Sequence, residues 1–154
     1  MTSPLRILLR LPAYLYRWRL GWLFGRRFLL LVHLGRRTGR RHETVLEVLE
    51  YRKAAREAVV MSGFGRNANW LRNISAGPRC EVAIGAERFV AAHRLLETDE
   101  AADVVRAYER RHRLLAPVTR LVLTRLLGWS YHGEAGERRR LVAQLPLIEF
   151  RPAS

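Results

Sequence analysis

The sequence predicts an α+β fold built on a mostly antiparallel sheet or barrel. Short strand-like runs bounded by glycine follow one another through the first part of the chain, and the apolar period then changes to that of helices. Consecutive strands followed by helices are typical of α+β domains. With 154 residues, of which 49% are hydrophobic, the chain is long enough for one domain with its own core.

The predicted strands come first. Phe28–Leu34 is an apolar run that indicates a buried strand, and the glycine-flanked Gly35–Arg41 indicates a turn. Thr44–Tyr51 has apolar residues on both faces, which fits a central strand. Further strands are predicted over 58–61, 80–84 and 87–96, with a short helix over 69–75.

The predicted helices follow. Thr98 is placed to cap a helix that runs to about Leu115, and Pro117 opens a second helix that ends at Gly128. Residues 138–145 are predicted to form one or two helical turns, and residues 146–150 a final edge strand.

The charge is concentrated near the N-terminus. The net charge is +14, and every basic residue except Lys53 is arginine. Residues 1–42 contain ten arginines and no acid. Such a surplus suits nucleic acid, an anionic membrane surface or an anionic small molecule. The single cysteine, Cys80, excludes an intramolecular disulfide and fits a cytoplasmic location.

The first segment, Leu5–Phe24, reads as a basic amphipathic helix interrupted at Pro12. Its arginines break the apolar run, so it is predicted to be neither a secretory signal nor a membrane span. Trp, Leu and Arg in this pattern suit the surface of an anionic membrane, here its inner face, and packing on the protein's own domain is the alternative. We therefore divide the chain into an N-terminal segment, 1–27, and one domain, 28–154.

Two loops are the candidate binding elements. Gly35–Arg41 combines four arginines and a threonine with two glycines, and guanidinium groups bind phosphate and carboxylate in a bidentate manner. Ser62–Trp70 is again rich in glycine and leads into the start of a helix, which favours anions. The histidines are scattered, so no metal site is predicted, and His33 is expected to line or enter the core.

The runs LLLVHLGRRTGRRHETVLEVLEY and VVMSGFGRNANWLRNISAGPRCEVAIG resemble the deazaflavin-dependent nitroreductase and quinone reductase family. The resemblance implies a split β-barrel of the pyridoxamine-phosphate-oxidase type, with an N-terminal helix and helices packed after the barrel strands. It also implies coenzyme F420, whose reduced form delivers hydride to a quinone or a nitroaromatic compound. A homodimer is a further implication.

The same resemblance implies site residues. Cofactor-binding positions are Arg36, Arg37, Thr38, Gly39, Arg40, Ser62, Gly63, Phe64, Gly65, Arg66, Asn67, Trp70 and Asn73. Tyr108 and Tyr131 are candidate proton donors. Hydride transfer is performed by the cofactor, so the chain needs no nucleophile of its own.

Three alternatives stay open. The first is an oxidoreductase that binds flavin mononucleotide (FMN), because its phosphate also suits an arginine-rich turn. The second is a non-catalytic cofactor-binding protein on the membrane surface. The third is a nucleic-acid-binding protein, for which the charge fits but a recognition helix, a zinc finger and an aromatic RNA-binding strand are missing from the sequence.

Overall fold

The computed structural model describes residues 26–77 and 80–154, which form a closed antiparallel barrel with helices packed against it. The strands are β1 (Phe28–Leu34), β2 (Arg41–Arg52), β3 (Glu57–Met61), β4 (Cys80–Ile84), β5 (Glu87–Leu95) and β6 (Leu147–Pro152). Around the barrel they follow the order β1-β2-β3-β6-β5-β4, and β4 returns to β1. The helices are α1 (Asn69–Ala76), α2 (Thr98–Arg111), α3 (Ala116–Leu127) and α4 (Ala135–Gln144).

The barrel interior is filled by alternate residues of all six strands, because every second side chain of a strand points to the same face. Leu29, Val60 and Phe150 are each no more than 1% exposed in this core. Helix α1 contributes Trp70 and Ile74 to the same cluster, and the Trp70 ring lies 6.5 Å from that of Phe150. Burial of this apolar face fixes α1 against the barrel.

A second core lies between the outside of the barrel and helices α2, α3 and α4. Strand β2 serves both cores because successive side chains of a strand point to opposite faces of the sheet. Val48 belongs to the barrel core, and the next residue, Leu49, belongs to the helical core. The register with β3 shifts between Val48 and Glu50, and after this irregularity Tyr51 packs against the barrel core.

Strand β6 corrects one expectation from the sequence. It is not an edge strand, because it pairs with β3 on one side and with β5 on the other and so closes the barrel. Its acidic residue, Glu149, is 2% exposed and is paired with Arg94 at 2.8 Å and with Arg52 at 3.7 Å. Pairing with two guanidinium groups satisfies a carboxylate that would be costly to bury alone.

The helix boundaries differ from the predictions at three places. Helix α2 has Glu97 rather than Thr98 at its N-cap, and it ends at Arg111 before a 3₁₀ turn, Arg113–Leu115. Pro117 lies in the first turn of α3, as predicted. Helix α4 begins before the predicted turns, because Glu134 and Glu137 form a reciprocal capping box.

The amphipathic segment predicted at Leu5–Phe24 lies outside the described residues. Just after it, the Arg26 guanidinium lies 4.7 Å from the ring centroid of Tyr51, and the Arg27 carbonyl accepts a 2.8 Å hydrogen bond from the Val48 N–H. Among residues 26–77 and 80–154, no helix has the length and apolar character needed to cross a membrane.

Candidate functional site

A cleft of about 720 Å³ opens between the β1–β2 turn and the start of α1. Its volume falls within the range of about 300–1,000 Å³ that is usual for ligand pockets. Its walls come from the turn, from the facing ends of β1 and β2, and from the loop that leads into α1. The lining residues are His33, Gly35, Arg36, Arg37, Thr38, His42, Glu43, Thr44, Phe64, Asn67, Ala68, Asn69, Trp70 and Asn73.

The arginine-bearing turn is held in shape by its own backbone. The Gly35 N–H donates to the Arg40 carbonyl, and the Gly39 N–H donates to the Gly35 carbonyl, both at 2.8 Å. Gly39 has a φ of +67°, which glycine adopts without strain. A Cβ on Gly35 would lie 2.8 Å from Thr38 Oγ1 and 3.2 Å from His42 Nε2, so the turn has no room for a side chain there.

Asn73 connects this turn to helix α1. Its Oδ1 accepts hydrogen bonds from the backbone N–H of Arg36 at 3.2 Å and from the Arg36 guanidinium at 2.8 Å. Both partners are donors only, so the amide orientation is fixed and Nδ2 faces Nδ1 of His33 at 3.1 Å. One side chain that is 8% exposed therefore sets the positions of the turn, the helix and β1.

The protonation state of His33 follows from these contacts. Nδ1 accepts from Asn73, so the proton lies on Nε2, which donates to Thr44 Oγ1 at 3.1 Å. Burial, together with the neighbouring ring of His42, lowers the pKa of His33 to about 4. His33 is thus a neutral, fully hydrogen-bonded residue in the cleft wall, in agreement with the sequence prediction.

The cleft combines positive charge with an exposed aromatic ring. Local desolvation, followed by the charges of Arg72 and Arg37, lowers the pKa of the exposed Arg36 guanidinium, which nevertheless stays charged. An anion placed there would relieve the repulsion among these cations. Phe64 is 76% exposed at the opposite side of the cleft and offers a flat apolar surface.

The start of α1 adds a further positive element. Ala68, the N-cap residue, provides no side-chain hydrogen bond to the first turn. The first backbone N–H groups of a helix lack intrahelical partners and attract negative charge. Because Ala68, Asn69 and Trp70 line the cleft, this end of the helix is directed at it. The whole arrangement suits a ligand with a flat ring and an anionic tail.

The structure brings seven of the thirteen predicted binding residues into the cleft wall. They are Arg36, Arg37, Thr38, Phe64, Asn67, Trp70 and Asn73. Gly39 and Arg40 shape the turn without lining the cleft. The other four, Ser62, Gly63, Gly65 and Arg66, belong to the loop before α1 and have other surroundings.

Ser62 and Arg66 illustrate those surroundings. Ser62 is fully buried, and its hydroxyl donates to the Gly65 carbonyl at 2.6 Å, so it closes the loop rather than facing the cleft. Arg66 lines a second cavity of about 400 Å³ on the other face of α1, together with His93. The short 3₁₀ turn Gly65–Asn67 directs consecutive side chains of the loop to different sides.

The two candidate tyrosines also lie away from the cleft. The Tyr108 hydroxyl donates to Glu47, and the Tyr131 hydroxyl donates to Glu109. Burial and these carboxylates raise the pKa of both phenols, so both stay protonated. Burial likewise raises the pKa of the Cys80 thiol to about 12, which leaves it un-ionised at neutral pH.

His42 and Thr44 also line the cleft, and no local sequence pattern marks them. They are brought to the cleft by the pairing of the β1–β2 hairpin, in which His33 faces His42 and Leu31 faces Thr44. The His33 and His42 rings are stacked with centroids 5.6 Å apart.

Comparisons with known proteins indicate the family and the fold. A model of the F420H(2)-dependent quinone reductase family matches residues 17–114, which is more than half of the chain. No curated protein matches the sequence.

Three solved structures share the fold. An F420-H2 dependent reductase is 14% identical, covers 82% of this chain and 96% of its own, and has a TM-score of 0.50. A protein solved as a domain-swapped dimer is 15% identical over 91% and 99%, with a TM-score of 0.50. A protein from Clostridium acetobutylicum related to general stress protein 26, of the pyridoxinephosphate oxidase family, is 5% identical over 92% and 84%, with a TM-score of 0.50. These similarities confirm the predicted split barrel.

The substitution Asn73→Ala should destabilise the protein by about 1–3 kcal/mol, because it leaves a buried histidine nitrogen and the Arg36 N–H without a partner. Urea unfolding measures the effect. Asn67→Ala, at an exposed position of the same cleft, should change the free energy of unfolding by no more than about 0.5 kcal/mol. Equal losses in the two variants would contradict the assigned role of Asn73.

Acid should destabilise the fold through His33. Its pKa is lower in the folded protein, at about 4, than the ordinary value of 6.5, so the unfolded chain binds the proton first. The contribution is therefore fully present above pH 6.5 and is lost as the pH falls towards 4. His33→Gln keeps an uncharged hydrogen-bonding side chain and cannot titrate. The thermal midpoint of this variant should depend less on pH between about pH 7 and about pH 4.5 than that of the wild type, and identical profiles would exclude His33 as the source.

Proposed function

Because the chain belongs to the F420H2-dependent quinone reductase family, we propose that it transfers hydride from reduced coenzyme F420 to a small quinone. The observation that supports this proposal most directly is the cleft beside α1, which joins an arginine-bearing turn to an exposed aromatic ring. Coenzyme F420 has the matching chemistry, since a flat deazaflavin carries a phosphodiester and a glutamate tail.

The cleft residues divide between the two ends of such a ligand. Arg36 and Arg37 would hold the anionic tail through charge-assisted hydrogen bonds, with Thr38 and Arg40 in the same turn. Phe64, Asn67 and Trp70 lie on the opposite wall. Two aromatic side chains and an amide together suit a heterocyclic ring, which has apolar faces and polar edge atoms. Asn73 fixes the guanidinium of Arg36 and is thereby a positioning residue as well as part of the wall.

The cofactor supplies the hydride, and the protein supplies binding and orientation. The proton that completes quinone reduction needs a source within reach of the acceptor. The Tyr108 and Tyr131 hydroxyls are engaged with carboxylates and do not line the cleft. We therefore assign proton delivery to water in the cleft, and we keep the tyrosines as the alternative to be tested by Tyr→Phe substitution.

Two finer points belong to the same proposal. We propose reduction of nitroaromatic compounds as a side activity of the open cleft, and a panel of acceptors separates it from quinone reduction. A homodimer is also proposed, since one similar structure is a domain-swapped dimer. FMN binding and binding without turnover are the competing functions.

The substitution Arg37→Ala should weaken binding of coenzyme F420 about tenfold or more, because it removes a charge-assisted contact in the cleft wall. Titration of cofactor fluorescence measures the affinity. Arg110→Ala removes the same charge from the exposed surface of α2 and should leave the affinity unchanged. Circular dichroism verifies that both variants are folded.

Three results would contradict the proposal. Equal affinities of wild type and the Arg37→Ala variant would move the anion site elsewhere. Tight binding of FMN without binding of F420 would indicate a flavin enzyme. Binding of reduced F420 with no oxidation by any quinone or nitroaromatic acceptor would indicate a non-catalytic protein.

A further inference from the structure

Helix α3 and the turn before it present an apolar surface to solvent, which we call the α3 stripe. Its exposed fractions range from 39% to 96%. The members are Leu114, Leu115, Val118, Leu121, Val122 and Leu126. Single exposed apolar residues are common on protein surfaces, but six within thirteen positions form a contiguous patch of the kind that marks an interaction site.

The stripe cannot turn inward, because the opposite face of α3 is already used. Leu123 and Leu127, one helical turn apart, are buried in the core between the helices and the barrel. Pro117 and Gly128 delimit the helix at its two ends. The helix is therefore apolar on both sides, although a surface helix normally carries polar residues on its outer side.

The sequence that carries the stripe is positively charged. Residues 110–127 contain five arginines and no acidic residue. Arg113 and Arg125 are exposed at the two ends of the stripe. Arginine can extend its guanidinium to lipid phosphates while its aliphatic stem lies on apolar surface. An apolar face with an arginine border is typical of segments that lie in the interface of an anionic bilayer.

We propose that the α3 stripe docks on the surface of an anionic membrane. Charge complementarity favours this occupant over two others. A second copy of the chain would bring the same exposed arginines, Arg113 and Arg125, to the contact. The N-terminal segment, 1–27, carries six arginines and no acid, so it would also be repelled. Lipid headgroups supply the missing negative charge.

The position of the stripe relative to the cleft supports the proposal. A Cβ built on Gly63 would lie 3.8 Å from Leu126 Cδ1, so the end of the stripe adjoins the loop that carries Phe64. Phe64 is exposed and lines the cleft. Apolar surface thus continues from α3 to the rim of the cleft. The family match ends at residue 114, so most of the stripe lies beyond the part of the chain that the match describes.

The test is flotation of the full chain, without cofactor, with vesicles of phosphatidylcholine that contain phosphatidylglycerol. The double substitution Leu121→Gln/Val122→Gln should weaken vesicle binding about tenfold, because it removes apolar contacts. Val90→Gln changes a similarly exposed residue on β5 and should leave binding unchanged. The wild type should bind more weakly to vesicles of phosphatidylcholine alone. Its binding to the anionic vesicles should also weaken at high salt.

Each contrary outcome is decisive. Vesicle binding by the double variant at the wild-type level would overturn the proposal. Loss of binding in Leu15→Gln but not in the double variant would assign the contact to the N-terminal segment instead. A wild-type dimer that the double variant converts to monomer in sedimentation would show that a second copy covers the stripe. The assay needs no bound F420, so its result is independent of the proposed reductase activity.

Discussion

The carboxamide of Asn73 joins three parts of the molecule that are far apart in sequence: helix α1, His33 on β1 and the arginine-bearing turn. The amide oxygen must accept, because both Arg36 groups only donate. The amide nitrogen must then donate to His33 Nδ1. The cleft exists because this amide holds the turn beside the first turn of α1. A neutral His33 is part of the same arrangement, since protonation of Nδ1 would set two donors against each other.

The charge of the chain acquires a more specific meaning in the structure. Arg36 and Arg37 line one cleft, where their mutual repulsion favours an anionic ligand. Elsewhere, the buried Glu149 uses two arginines, Arg52 and Arg94, to satisfy its carboxylate inside the wall of the barrel. A third group, Arg113 and Arg125, is exposed at the two ends of the α3 stripe. A uniform affinity for polyanions does not follow from charges that have such different surroundings.

Local patterns predicted most of the strands, because burial on both faces leaves a clear apolar run. Strands β1 and β4 have the predicted boundaries. The role of β6 was not predictable, since its pairing with β3 and β5 depends on contacts distant in sequence. The sequence indicated the two loops that contribute to the cleft, but not which of their side chains line it. Which side chains enter the cleft depends on a 3₁₀ turn and on the Ser62–Gly65 hydrogen bond, and neither has a local sequence signal.

The proposed function requires coenzyme F420 to occupy the cleft on the Asn73 side of α1. Hydrogen–deuterium exchange with and without the cofactor locates the contact without any substitution. We expect slower exchange of backbone amides in the β1–β2 turn and at the start of α1. Protection confined to the region of His93 and Ser75, around the second cavity, would contradict it.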